Sequence, residues 1–306
     1  MKYDLFYQSR GAGRIHGCRW EPDVEPKGVV QIVHGIAEHI ERFAPFIKFL
    51  NSCGYVVVAE DHMGHGRSIG NEGVQGYFHG GWFAAVEDTR QLLRYTMKKY
   101  PDVPYILLGV SMGSFMVRTL IAKYPDSGIS AAVLCGTAWQ PSNMLTAARS
   151  LASMLCKASD EKQSNPMLQK MMFGSYNRRV EKPVSPNDWL CQDRNVVEAY
   201  DQDPLCGFPP SAGLVRDMME GFRYIQNPEH IARMRKDLPV FFISGMEDPV
   251  GGYGNGVEVC VHAFRDAGMT QVACKLYPED RHDVLNELDK HIVWTDVTNW
   301  IASAVD

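Results

Sequence analysis

The sequence predicts an α/β fold, a mostly parallel sheet flanked by helices with a helical segment inserted into it, and three observations carry that expectation. Short apolar runs at 29–33, 55–59, 105–109, 131–135, 240–244 and 272–277 lack polar alternation, as strands buried on both faces do. Helical periodicity fills the gaps between them. The alternation then stops after 131–135 and resumes only at 240.

Taken in order, 14–20 reads as an antiparallel edge strand ahead of the parallel set. The stretch 83–99 keeps Ala85, Thr89, Leu92, Leu93 and Thr96 on one helical face, and 284–305 repeats Val284, Leu288, Ile292, Val297, Trp300 and Ile301. Between 138 and 230 the texture changes: Ser164-Asn165-Pro166, Pro183-Val184-Ser185-Pro186 and Gly207-Phe208-Pro209-Pro210 separate short helical patches. The expected organisation is a core of residues 1–137 and 231–306 with 138–230 inserted as a helical cap. Seven of the fifteen methionines fall in that cap, among them Met144, Met154, Met171 and Met172. They suit the lining of an apolar pocket, but packing of the cap's own small core is the simpler expectation, so no cap residue is assigned to substrate.

At 306 residues the chain can bury a large core, and 45% hydrophobic with 22% charged residues is the balance of an ordinary globular protein. A net charge of −5 offers no basic surface for nucleic acid. None of the eight cysteines is spaced C-x-x-C, and Cys53, Cys135, Cys260 and Cys274 sit in apolar or amphipathic runs, so they read as reduced core thiols and not as disulfides or a zinc site. The amino-terminal MKYDLFYQSRGAGRIHGCRW turns polar too early for a secretory signal, and no apolar stretch is long enough to span a bilayer; a cytoplasmic location is expected.

Residues 104–125 place one serine between a buried strand and an apolar helix, within Gly109-Val110-Ser111-Met112-Gly113. A strand-to-helix turn this tight forces its middle residue to positive φ, and glycine two positions away on each side removes the resulting clash. The turn lifts the serine hydroxyl above the sheet, where the following helix points its first amides. Ser111 is the candidate nucleophile. A serine hydroxyl is a poor nucleophile unaided, so it needs a histidine base oriented by a carboxylate, both in loops at the carboxyl ends of later strands. After 240–244 comes Gly245-Met246-Glu247-Asp248-Pro249, which nominates Asp248, with Glu247 as its stand-in. After 272–277 comes Pro278-Glu279-Asp280-Arg281-His282, which nominates His282. The remaining histidines fit less well: His262 and His291 lie in helical patterns, and His16 and His230 are far from the expected loops. His62 and His65 near Asp61 read as a glycine turn in preference to a metal site. The oxyanion requires two backbone donors. One is the amide of Met112; the other, from the turn His34-Gly35 after the first buried strand, is the amide of Ile36.

These residues bring the chain to a family. It resembles the α/β-hydrolase superfamily, in the branch of monoacylglycerol lipases and lysophospholipase-like esterases, through VHGIAEHIERF (33–43), EDHMGHGRS (60–68), LGVSMGS (108–114), SGMEDPVG (244–251) and YPEDRHDVLNE (277–287). The resemblance implies an eight-stranded, mostly parallel sheet, a helical cap after the sixth strand, the roles given to Ser111, Asp248, His282, Ile36 and Met112, and neither metal nor organic cofactor. It implies a small ester substrate, a single-chain lipid foremost. One departure is Ile36-Ala37, bulkier than many lipid-cleaving members carry there and expected to narrow access for the acyl chain. Two rival functions stay open: an aminopeptidase, amidase or thioesterase on the same triad, with Glu181, Asp188, Asp193 or Glu198 as an ammonium anchor, and a ligand-binding receptor without turnover. An apolar cap rim would suit transient membrane contact or a second subunit, and the sequence does not choose.

Overall fold

The structure, a computed structural model, describes residues 1–69 and 74–305. Eight strands form one sheet: β1 (Lys2–Gln8), β2 (Arg14–Trp20), β3 (Gly28–Val33), β4 (Tyr55–Glu60), β5 (Tyr105–Val110), β6 (Ala131–Cys135), β7 (Val240–Gly245) and β8 (Val272–Tyr277), in the order β1-β2-β4-β3-β5-β6-β7-β8. From β4 to β8 all neighbours pair in parallel. The segment 14–20 is antiparallel as expected, yet it is not the edge, because β1 pairs along its outer side. β1 is mostly exposed, which removes the apolar run that would have marked it.

The helices are α1 (Ala44–Ser52), α2 (Gly81–Lys99), α3 (Met112–Lys123), α4 (Ser142–Ala158), α5 (Pro166–Phe173), α6 (Arg194–Gln202), α7 (Ala212–Ile225), the single turn α8 (Pro228–Ile231), α9 (Asn255–Asp266) and α10 (Lys290–Val305). Strand residues alternate between the two faces of the sheet: Val29 and Val33 pack towards α2, α3, α7 and α9, while Val30 and Ile32 pack towards α1 and α10. Both faces of β3 to β7 are therefore buried, and these strands read as continuous apolar runs, whereas the edge strand β8, expected to be buried as well, is only partly so. Helices α4 to α8 all lie between β6 and β7 in sequence.

Two expectations need correction. The last helix begins at Lys290, not at 284, and Leu288 and Ile292 are exposed. Residues 283–289 turn irregularly because the buried carboxylate of Glu287 accepts the amides of Arg281, Gln192 and Leu288. Cys274 is exposed on the edge strand β8 and Cys53 is only partly buried, whereas Cys135 and Cys260 are core thiols; all eight cysteines are unpaired. Among the described residues, no helix is long and apolar enough to cross a membrane.

Candidate active site

Ser111 stands between β5 and α3 with φ 53° and ψ −121°, a left-handed conformation that a residue with a β-carbon adopts at a cost. Neighbouring packing forces it. A β-carbon on Gly113 would lie 1.9 Å from the carbonyl oxygen of Val33, and one on Gly109 would lie 2.5 Å from that of Gly113. The Ser111 N–H donates to the carbonyl of Cys135 (2.9 Å), and its own carbonyl accepts from the Ser114 hydroxyl (2.6 Å).

Asp248 lies in the loop after β7, fully buried. Its Oδ1 accepts the Val250 amide at 2.8 Å and its Oδ2 the Ser244 hydroxyl at 3.1 Å. His282 Nδ1 is 3.0 Å from Asp248 Oδ1, an ion-pair distance, although the ring N–H does not point straight at the oxygen. Glu247, the stand-in, turns outward to within 3.9 Å of Arg179. Burial pulls the His282 pKa down, but Asp248, with Asp283 and Glu38 further off, outweighs it and leaves the imidazole above its ordinary value.

Ser111, His282, Ile36 and Met112 line one cavity of about 460 Å³. As the first residue of α3, Met112 has an amide without an intrahelical acceptor. Ile36 packs partly against the core, and Ala37 beyond it takes φ 53°. The Ala37 carbonyl accepts from the Tyr200 hydroxyl (3.0 Å) and the Gly207 amide (2.9 Å), which ties this loop to the segment between β6 and β7.

That segment supplies most of the apolar wall: Leu145, Ala148 and Leu151 from α4, Leu168 and Met172 from α5, and Met218, Met219 and Phe222 from α7. Met144, Met154 and Met171 are all exposed, the first and last at the border of the cavity, so the methionines do not simply pack a separate core. The opposite corner is polar. Glu38, Arg42, Tyr200 and Asp283 meet there. Arg42 donates to Glu38 and, at 2.7 Å, to Asp283, and Glu38 Oε1 accepts the Gly35 amide at 2.5 Å. Burial raises the Glu38 carboxyl pKa more than Arg42 lowers it. The sequence reading missed Arg42 and Asp283. The i, i+4 spacing of Glu38 and Arg42 was a visible signal; the pairing with Asp283, 241 positions from Arg42, was not.

The histidine turn is structural. His34 is pushed well below the ordinary imidazole pKa by burial and by His62 and His65, hence neutral; its Nε2 accepts the His62 amide at 3.0 Å and its Nδ1 faces the Gly35 carbonyl at 2.7 Å. Asp61 accepts from the amides of Ile40 and Arg67, both at 3.0 Å, and contacts His16 Nδ1 at 2.9 Å.

The family described as "Serine aminopeptidase, S33" matches residues 24–289. The chain belongs to this family of α/β-hydrolases. It is 31% identical to a monoacylglycerol lipase of Mycolicibacterium smegmatis over 96% of this chain and 94% of that protein. It is 28% identical to a monoglyceride lipase of Mus musculus, covering 99% of this chain and 91% of the mouse protein. Among solved structures, a thermostable carboxyl esterase from Bacillus coagulans in complex with glycerol superposes with a TM-score of 0.93 at 29% identity, over 100% of this chain and 99% of that one.

Proposed function

We propose that the protein hydrolyses monoacylglycerols or similar single-chain lipid esters through a Ser111-His282-Asp248 triad. That it is a carboxylic ester hydrolase rests on its family and on relatives of that activity over nearly the full chain. The triad rests on one observation above all: the strained Ser111 and the Asp248-paired His282, 171 positions apart in sequence, line the same cavity. In this reading His282 takes the Ser111 proton on Nε2 while Asp248 holds the Nδ1–H tautomer. Ser111 Oγ attacks the ester carbonyl, and the amides of Ile36 and Met112 receive the oxyanion. The imidazolium then protonates the departing alcohol. Water, deprotonated by His282 in turn, releases the acid. The segment 138–230 serves as the cap over the core 1–137 and 231–306.

The lipid part is supported by the division of the cavity. An apolar wall and a hydrogen-bonding corner suit a substrate with one hydrocarbon tail and one polar head. The aminopeptidase reading, which the family's description brings forward, needs a free carboxylate for the substrate ammonium. Glu181, Asp188, Asp193 and Glu198 do not line the cavity, and the two acids that do, Glu38 and Asp283, are both engaged by Arg42.

Hydrolysis of monoacylglycerols and p-nitrophenyl esters of rising chain length, with an aminoacyl-anilide beside them, tests the proposal. Ester turnover that Ser111→Ala abolishes, with the anilide untouched, is expected. Turnover of short aryl esters but of no monoacylglycerol would remove the lipid assignment.

A further inference from the structure

Outside the proposed catalytic residues, His39, Asp203 and Cys206 gather at one point. His39 ends the turn that carries Ile36, and Asp203 and Cys206 lie in the connection between α6 and α7. That connection is a tight turn: Asp203 Oδ1 accepts the Leu205 amide at 2.8 Å and the Asp203 carbonyl accepts the Cys206 amide at 2.9 Å, which leaves Oδ2 and Sγ pointing the same way. His39 Nε2 lies 2.8 Å from Asp203 Oδ2, and all three ligand atoms fall within 4.8 Å of one another.

We propose that His39, Asp203 and Cys206 form a Zn²⁺ site that staples the Ile36 loop to the helical segment between β6 and β7. A nitrogen, an oxygen and a sulfur at this spacing are a borderline-soft donor set, which zinc takes in tetrahedral geometry with water as the fourth ligand. Tetrahedral zinc bonds hold such ligands about 3.3–3.7 Å apart. The His39–Asp203 contact opens by under an ångström to reach that range, and the other two pairs, already within 4.8 Å, need close by no more than about 1.5 Å. Charge also balances: Zn²⁺ displaces the thiol proton, and thiolate plus carboxylate neutralise the ion. A thiol must lose its proton to bind zinc, so uptake releases a proton and strengthens as pH rises. Arg42 does not block the ion, since its guanidinium is committed to Glu38 and Asp283. The contrast is Asp4, His16 and Cys18, which also bring three donors together. There Arg67 sits 3.0 Å from His16 Nε2, a cation already in the cation's place.

The test is titration of the metal-free protein with Co²⁺ and Zn²⁺, for wild type and Cys206→Ser. Wild type should take up one Co²⁺ with a thiolate-to-cobalt charge-transfer band in the near ultraviolet, and Zn²⁺ should raise its Tm. Cys206→Ser should lose the band and bind Zn²⁺ on the order of 100-fold more weakly, since even outer-shell partners of metal ligands are worth about 10–100-fold. A band that survives in Cys206→Ser, or equal Zn²⁺ affinity in both proteins, would overturn the site. If Cys206→Ser melts early in chelator, Asp203→Asn, at a part-exposed side chain, replaces it in the Zn²⁺ titration: weakened binding supports the site, and affinity equal to wild type overturns it.

Discussion

Gly136 and His282 pack face to face: a β-carbon on Gly136 would lie 2.9 Å from Cε1 and 3.1 Å from Nδ1 of the imidazole. Gly136 follows β6 at φ 58°, so a side chain there is strained before it meets the ring. Gly136→Ala is expected to push His282 off its line to Ser111 and lower kcat about 100-fold, with roughly 1–2 kcal/mol of stability lost to the backbone. Ester kinetics and a urea melt of the variant measure both. Unchanged kcat would mean that the ring has room the structure does not show.

The strain at Ser111 makes a paired prediction. Ser111→Gly relieves φ 53° and should stabilise the fold by about 1 kcal/mol, while Ser111→Ala keeps the β-carbon and should leave stability near wild type. Both should lower turnover by a factor on the order of 1,000 or more. Equal melting midpoints for the two variants would show that the turn is not strained.

Five of the parallel strands, β3 to β7, were legible because each is buried on both faces, whereas the edge strand β8 carries exposed Cys274 and Lys275; Ser111, Asp248 and His282, the proposed catalytic residues, each follow a strand of this parallel set. β1 was hidden because its side chains face solvent on an edge. Arg118 was hidden for the opposite reason. It is fully buried in α3 with no carboxylate partner among the described residues, held by the carbonyls of Ala138 (2.8 Å) and Ile225 (3.5 Å) and the hydroxyl of Thr137 (3.2 Å). A charged residue in an apolar helix reads as the solvent-facing position. Only the tertiary fold shows that backbone carbonyls take the place of water.

As the proposed base, His282 should set the pH profile. Its pKa is raised above the ordinary imidazole value despite burial, so the neutral base, and with it kcat/KM, should be lost on acidification at a pH higher than an unperturbed histidine would give. The linkage to stability has the opposite sign. A raised folded-state pKa means that protonation stabilises the fold, so this contribution is full below the unfolded pKa and fades as pH climbs through the folded one. Asp283→Asn removes one of the charges that raise His282 and should move the acid limb of kcat/KM to lower pH. A pH-rate series on both proteins measures it, and a limb that stays in place or moves up would contradict the assignment.

The apolar wall should set chain length. Ala148 on α4 borders the cavity between Leu145 and Leu151, and replacing it with Trp fills space that a hydrocarbon tail would need. Ala148→Trp should lower kcat/KM for long-chain monoacylglycerols by about tenfold or more, with short-chain esters little changed, because a blocked pocket rejects only substrates that reach it. The residue is distant in sequence from Ser111, His282 and Asp248, so a uniform loss across all chain lengths would indicate a misplaced cap instead of a filled pocket. The ratio of long- to short-chain kcat/KM, compared between wild type and variant, therefore separates steric occlusion of the acyl site from damage to the catalytic residues.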